Sequence, residues 1–209
     1  YIPYYWDKTQ FAAYGLDGDR FPPFVEQGQP IGAISAAAAE RTGLPRRLPI
    51  ISGGPDFITA LIGTGVLLPG MVCDRAGTSE GINVCAKQGS RSRYHRTLPH
   101  VQAGLWNVGA MLPTTGRLFE WFRHITGQEN RDYREMLAEI LQCQETCKGR
   151  DFFFPDIRSS GSLRISNAFF STAGLTSRAE LGYAVIESIA FMVRSAVEGL
   201  EKEGYRIEG

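Results

Sequence analysis

Apolar residues recur along this chain with two periods, and each predicts its own elements. The helical period is clearest in "SRAELGYAVIESIAFMVRSAVEGLEKEG", where Leu181, Val185, Ile189, Met192, Val193 and Val197 fall on one stripe. Ser177 precedes that stripe and Glu180 follows three residues later, the spacing of a capping box. "RDYREMLAEILQCQETC" predicts a second helix through Met136, Leu137, Ile140 and Leu141. "TTGRLFEWFRHITG" predicts a third, entered through the hydroxyl caps Thr114 and Thr115 and stopped at Gly127. Ser35 caps a short alanine-rich helix that ends at Gly43. Asp56 opens another, "DFITALIGTGV".

The strand signals lie between these helices. "PIGAIS" predicts a short strand and "LPIIS" a buried, β-branched one. "MVCDRAG" and "GINVCAK" predict a hairpin joined at Gly77-Thr78-Ser79. "LWNVGAML" and "DFFFPDI" predict two further strands. "FPPF" is held extended, because each proline restricts the residue before it. "SRSRYHRTLPH" is polar and reads as a loop, and Ser159–Ser162 reads as mobile. Strands alternating with helices, with one hairpin, indicate an α/β fold.

Composition narrows the function classes. Hydrophobic residues are 43% of the 209 and charged residues 21%, enough to bury a real core in one large or two smaller domains. The formal net charge is zero and no basic run occurs, so no nucleic-acid footprint is expected. A small anion could still bind through backbone N–H groups. No apolar run approaches the roughly 18 residues of a membrane helix, and no signal peptide opens the chain. Cys143 and Cys147 could share a helix face as half of a metal site, but no further ligand pair accompanies them. Reduced thiols of a cytoplasmic protein are the expectation for all four cysteines. A first residue of Tyr1 and a last run "GYRIEG" lead us to expect a piece of a longer protein.

Two glycine turns in "IISGGPDFITALIGTGVLLPGMVCDRAGTSE" carry the candidate chemistry. Asp56 follows Gly-Gly-Pro and begins a helix. It is either a first-turn acid stabilised by the helix dipole, or an exposed general base that removes a proton from an alcohol attacking phosphorus. Gly77-Thr78-Ser79 is either an ordinary turn or a nest of N–H groups and hydroxyls for phosphate. It is not a Walker A loop, since no Gly-Lys-Ser/Thr follows.

Taken together, in this order, these motifs resemble the FGGY carbohydrate kinases, the family of xylulokinase-like, gluconokinase-like and glycerol kinase enzymes. The resemblance runs from "FPPFVEQGQPIGAISAAAAERTGLP" through the two turns to "VGAMLPTTGRLFEW", "FFFPDI", "NAFFSTAGLTSRAEL" and "VIESIAFMVRSAVEGL". It implies a partial two-lobed kinase of the actin-like ATPase (ribonuclease H-like) superfold. Residues 1–68 would be the C-terminal part of the first, sugar-binding domain. Residues 69–209 would be the N-terminal part of the second, nucleotide-side domain. It implies ATP and Mg2+ as cofactors and a small sugar or polyol as substrate, with no nucleic-acid or membrane partner and a homodimer as one possible assembly. By the family's pattern Asp56 is the base, Gly77, Thr78 and Ser79 hold ATP phosphates, and Thr115 and Gly116 approach the nucleotide. No residue is assigned as a metal ligand. Tyr4, Tyr5 and Trp6 are read as packing residues rather than a sugar site.

The chain also departs from the family. Pro55 stands where a third glycine is usual, and Glu80 where glycine follows Gly-Thr-Ser. A carboxylate there would repel phosphate unless magnesium or a basic group intervened. Arg75, beside Asp74, is expected to pair with it. The late turn is degraded to "RSSGSLRIS". An "Asp-x-Gly-Thr" hairpin and a Gly-Gly adenosine motif do not occur, so the isolated chain is expected to show little kinase activity. Three other readings stand beside the kinase: a non-catalytic sugar- or nucleotide-binding module, an actin-like ATPase of the same superfold, and a structural or interaction protein whose turns are only turns.

Overall fold

The computed structural model describes all residues except 1–6, 27, 54, 113, 148, 159–163, 173, 175 and 209. The chain runs α1 (Lys8–Ala13), β1 (Pro30–Ala33), α2 (Ala36–Thr42), β2 (Pro49–Ile51), α3 (Asp56–Gly63), β3 (Val72–Arg75), β4 (Glu80–Ala86), β5 (His95–Pro99) and β6 (Trp106–Leu112). It continues through α4 (Thr115–Ile125), α5 (Tyr133–Gln142), α6 (Gln144–Cys147), β7 (Asp151–Arg158), β8 (Arg164–Ser171) and α7 (Arg178–Lys202).

An antiparallel sheet of order β3-β4-β6-β5 forms the centre. The strand period of two sorts its side chains to two faces. Ile82, Val84, Ala86, Val108 and Ala110 meet Leu200, Val193 and Val197 of α7 on one face. Cys73 and Cys85 meet Ile58 and Leu61 of α3, with Val66, on the other. A third core joins Leu118, Phe119 and Phe122 of α4, Met136 and Ile140 of α5, Phe153 of β7, and Ala184 and Val185 of α7. At 25 residues α7 is about 37 Å long, so its two halves serve different cores.

Local sequence sets the helix ends. Ser35 Oγ accepts from Ala38 N, and Gly43 closes α2 at φ 73°, a left-handed angle glycine adopts freely. Ser177 and Glu180 make the expected capping box. The caps expected at Thr114 and Thr115 are not made. Thr114 precedes α4 without a side-chain hydrogen bond, and Thr115 turns its hydroxyl inward.

The strands differ from the sequence reading in three places, one of them a strand that it did not contain. His95–Pro99, expected as loop, is the edge strand β5. An edge strand needs only one ladder partner, here β6, and so tolerates polar residues. "RISNAFFS" forms β8, paired with β7 from Asp151↔Ser171 to Arg158↔Arg164. The "LPIIS" strand exists as β2 but is not buried: Ile50 and Ile51 are 40% and 50% exposed. β2 pairs with β1 in a two-stranded ribbon, and β-branched residues favour such pairing whether or not a layer covers them. Tyr4, Tyr5, Trp6 and Ser159–Ser162 lie outside the described residues.

The four cysteines are free thiols. Burial raises the Cys147 pKa, and the neighbouring Cys143 adds to that rise. No group of three or more metal-ligating side chains gathers among the described residues.

Candidate functional site

Sheet register builds the site. The last ladder pair of the hairpin is Arg75↔Gly81, which leaves 76–80 to turn between β3 and β4. Glu80 pairs with Leu112, so β6 ends beside that turn and delivers the start of α4 to it. A Cβ on Gly116 would lie 2.0 Å from the Gly77 carbonyl oxygen. Only glycine permits this approach. Arg117 N–H donates to Thr78 O at 3.2 Å, tying the first turn of α4 to the loop. The positive end of the α4 dipole therefore faces Gly77-Thr78-Ser79, a favourable place for an anion.

A cavity of about 440 Å³ opens beside this contact, lined by Gly77, Thr78, Gly116, Arg117, Phe119, Glu120 and Tyr133. Tyr133 is fixed from behind. The Arg123 guanidinium lies 3.9 Å over its ring and donates to the carbonyls of Glu129 at 2.8 Å and Arg131 at 2.9 Å. Arg117, Phe119, Glu120 and Tyr133 were not singled out as site residues in the sequence. Arg117, next to Gly116, is the one that motif adjacency could have found.

Asp56 occupies the first position of α3, after Pro55 at φ −60°, ψ 140°. It is exposed, and its Oδ1 accepts from Phe57 N at 2.6 Å. Pro55 itself offers a carbonyl to the Thr59 hydroxyl at 3.1 Å. This geometry suits both a helix-start acid and a base open to a substrate. Thus Gly77, Thr78, Thr115 and Gly116 gather at one corner. No hydrogen bond or ion pair among the described residues joins Asp56 to them.

Glu80 is 5% exposed. Burial holds its carboxyl above the usual range, the Asp74 carboxylate pushes in the same direction, and the Thr115 hydroxyl works against both. The expected Arg75–Asp74 pair does not form among the described residues. Successive strand residues point to opposite faces, so neighbours in sequence are kept apart in space.

No family model matches the chain. Autoinducer-2 kinase of Escherichia coli K12 is 29% identical over 135 residues, 64% of this chain and 26% of that protein. The Salmonella paratyphi B enzyme of that name is 30% identical over the same length. The chain thus spans about a quarter of these curated relatives. Among solved structures, xylulose kinase from Rhodospirillum rubrum superposes with TM-score 0.74 at 22% identity, covering 97% of this chain and 42% of that one. Glycerol kinase from Plasmodium falciparum, solved with ADP, gives 0.73 at 17% identity, covering 98% and 41%. On sequence and fold together, the chain is similar to FGGY-type carbohydrate kinases and shares part of the actin-like ATPase fold of those structures.

Proposed function

We propose that the chain is part of an ATP-dependent carbohydrate kinase that transfers the γ-phosphoryl group to a sugar or polyol hydroxyl. The observation that carries this reading is the seating of the first turn of α4 on Gly77-Thr78-Ser79, through Gly116 and the Arg117 amide. It supports an anion corner in which turn amides, the Thr78 and Ser79 hydroxyls and the α4 dipole act on phosphate oxygens. Thr115 and Gly116 belong to its nucleotide side. The adjoining cavity of about 440 Å³, with Phe119 and Tyr133 in its lining, offers room for the rest of a nucleotide.

Asp56 acts as the base. One carboxylate oxygen is occupied by the Phe57 amide, and the other takes the proton of the acceptor hydroxyl as its oxygen bonds to phosphorus. The bond from phosphorus to the bridging oxygen breaks, and ADP leaves with that electron pair. Mg2+, when bound with ATP, offsets phosphate charge. Residues 1–68 belong to the sugar side and 69–209 to the nucleotide side. No helix is long and apolar enough to cross a membrane among the described residues. We place the protein in the cytoplasm with a small-molecule substrate, and the homodimer stays with the proposal. Pro55 and Glu80 favour a second reading, a binding module that has lost catalysis.

Asp56→Asn in the longer protein separates the two. As a kinase it loses on the order of 10²–10⁴-fold in kcat while nucleotide affinity is kept. Unchanged turnover in a sugar-dependent ADP-release assay would remove Asp56 from the role of base.

A further inference from the structure

Arg123 is a buried cation near the end of α4. It follows Glu120 by three residues and Gly116 by seven, so the three share one stripe of the helix. Its guanidinium is used on its edge and on its face. Along the edge, Nη1 donates to Glu120 Oε1 at 3.2 Å, and Nη2 donates to the carbonyls of Glu129 at 2.8 Å and Arg131 at 2.9 Å. Nε is buried too and has no acceptor among the described residues. The face lies 3.9 Å over the Tyr133 ring. A planar fork can serve carbonyls and a ring at once, whereas a lysine ammonium is a point charge that cannot.

Arg123 thereby fixes both the backbone that leads into α5 and the first side chain of α5. Asp132, between them, caps that helix by accepting from Arg134 N at 2.8 Å. Tyr133 has one face against the guanidinium, yet the residue is 44% exposed and lines the cavity beside Gly77, Thr78 and Gly116. Its uncovered surface therefore belongs to that cavity. Phe119 flanks it, with ring centroids 6.1 Å apart and planes tilted by 32°. We propose that Tyr133 is the platform on which a nucleobase stacks, and that Arg123 is the positioning residue that holds it there. The proposal rests on the nucleotide reading of this cavity and adds to it. The first turn of α4 takes the phosphates, and its last turn, acting through Tyr133, places the base. Stacking accepts any planar base, so the pair governs affinity rather than base choice.

The test is a double-mutant cycle on ADP affinity in the longer protein, read by isothermal titration calorimetry. Inorganic tripolyphosphate is the second probe, because it reaches the turn but carries no base. Tyr133→Leu should weaken ADP binding roughly 5-fold to 150-fold, the loss of one base stack, and Tyr133→Phe should change it little. Arg123→Met should weaken ADP to a similar extent, and Arg123→Lys should not restore it. Added to Tyr133→Leu, either Arg123 variant should cost almost nothing further, because it acts through the ring. Tripolyphosphate should bind every variant as it binds the wild type. The half-exposed Tyr133→Leu and the charge-conserving Arg123→Lys keep the cycle readable where Arg123→Met does not fold. Losses that add in the double variant, an unchanged ADP affinity in Tyr133→Leu, or an equal loss of tripolyphosphate would overturn the platform and leave the kinase reading standing. Wild-type protein that binds neither probe would overturn both.

Discussion

At the scale of single residues, Gly116 is where the site is most constrained. A methyl group there meets the Gly77 carbonyl oxygen at 2.0 Å, and a backbone atom cannot yield as a side chain can. Gly116→Ala should force the turn and α4 apart, costing about 1–3 kcal/mol. Nucleotide affinity should fall with it. The control is Gly63→Ala at the end of α3, where an added Cβ meets nothing within 4 Å. That change should be neutral or stabilise by about 0.4–1 kcal/mol, because it narrows the unfolded chain. Urea midpoints of the two variants decide the matter, and equal midpoints would remove the close approach as a constraint. Gly116 and the Gly-Thr-Ser turn were legible as motifs, but their backbone contact was not, since β6 and the whole β4–β6 register lie between them. The side-chain directions of Asp74 and Arg75 follow from strand alternation once β3 is recognised. An adjacency argument nevertheless assigned them to each other.

At the scale of elements, periodicity made α7 readable, and the contribution of its cap can be tested. Ser177 N–H donates to Glu180 Oε2 at 2.7 Å and Glu180 N–H donates to Ser177 Oγ at 3.2 Å. Ser177→Ala should cost about 1 kcal/mol in a urea melt. The backbone bond from Ser177, then its hydroxyl, lowers the Glu180 pKa from 4.5. A carboxylate with a lowered pKa in the fold contributes stability above its unfolded pKa, and that stability is lost as pH falls through the folded value. Glu180→Ala should therefore destabilise the protein at pH 7, and the gap should close once acid protonates the wild-type side chain. A gap independent of pH would mean that Glu180 acts through packing alone. Elements without such periodicity escaped. β5 has a polar sequence because it is an edge, and it is fastened by His95 Nδ1, 2.9 Å from Glu203 Oε1 beyond the end of α7. A partner more than a hundred residues away leaves no local mark. β2 shows the converse: its residues fit a strand, but a strand becomes buried only when a layer covers it.

At the scale of the molecule, burial is distributed unevenly. Among the described residues none before Ile58 is buried. From Ile58 onward, α3 fastens to one face of the central sheet through Leu61, Cys73 and Cys85, and α7 covers the other face and reaches the α4–α5–β7 core. The proposed division at 68/69 therefore crosses a packed interface, because α3 belongs to the first unit in sequence and packs on the sheet of the second. Motif order leads to the expectation that two units meet here. It does not show which helices each unit keeps, because that depends on which side chains find a covering layer.

A cleavage experiment follows from the same distribution. Segments that bury little open locally at low free energy, whereas core strands open only with the whole structure. The exposed stretch between α2 and β2 carries Arg46 and Arg47, both accessible to trypsin. Limited trypsinolysis should cut there first and leave a resistant product that begins before α3 and retains β3 through α7. Mass spectrometry of the early products reads this directly. Removal of residues 1–52 should leave the urea midpoint of the remainder close to that of the whole chain, since the described residues among them contribute no buried side chain. First cuts at Arg93 or Arg96, near β5, would show instead that the central sheet is the weaker part. In that case α3 would hold the first unit more tightly than its exposed surfaces imply.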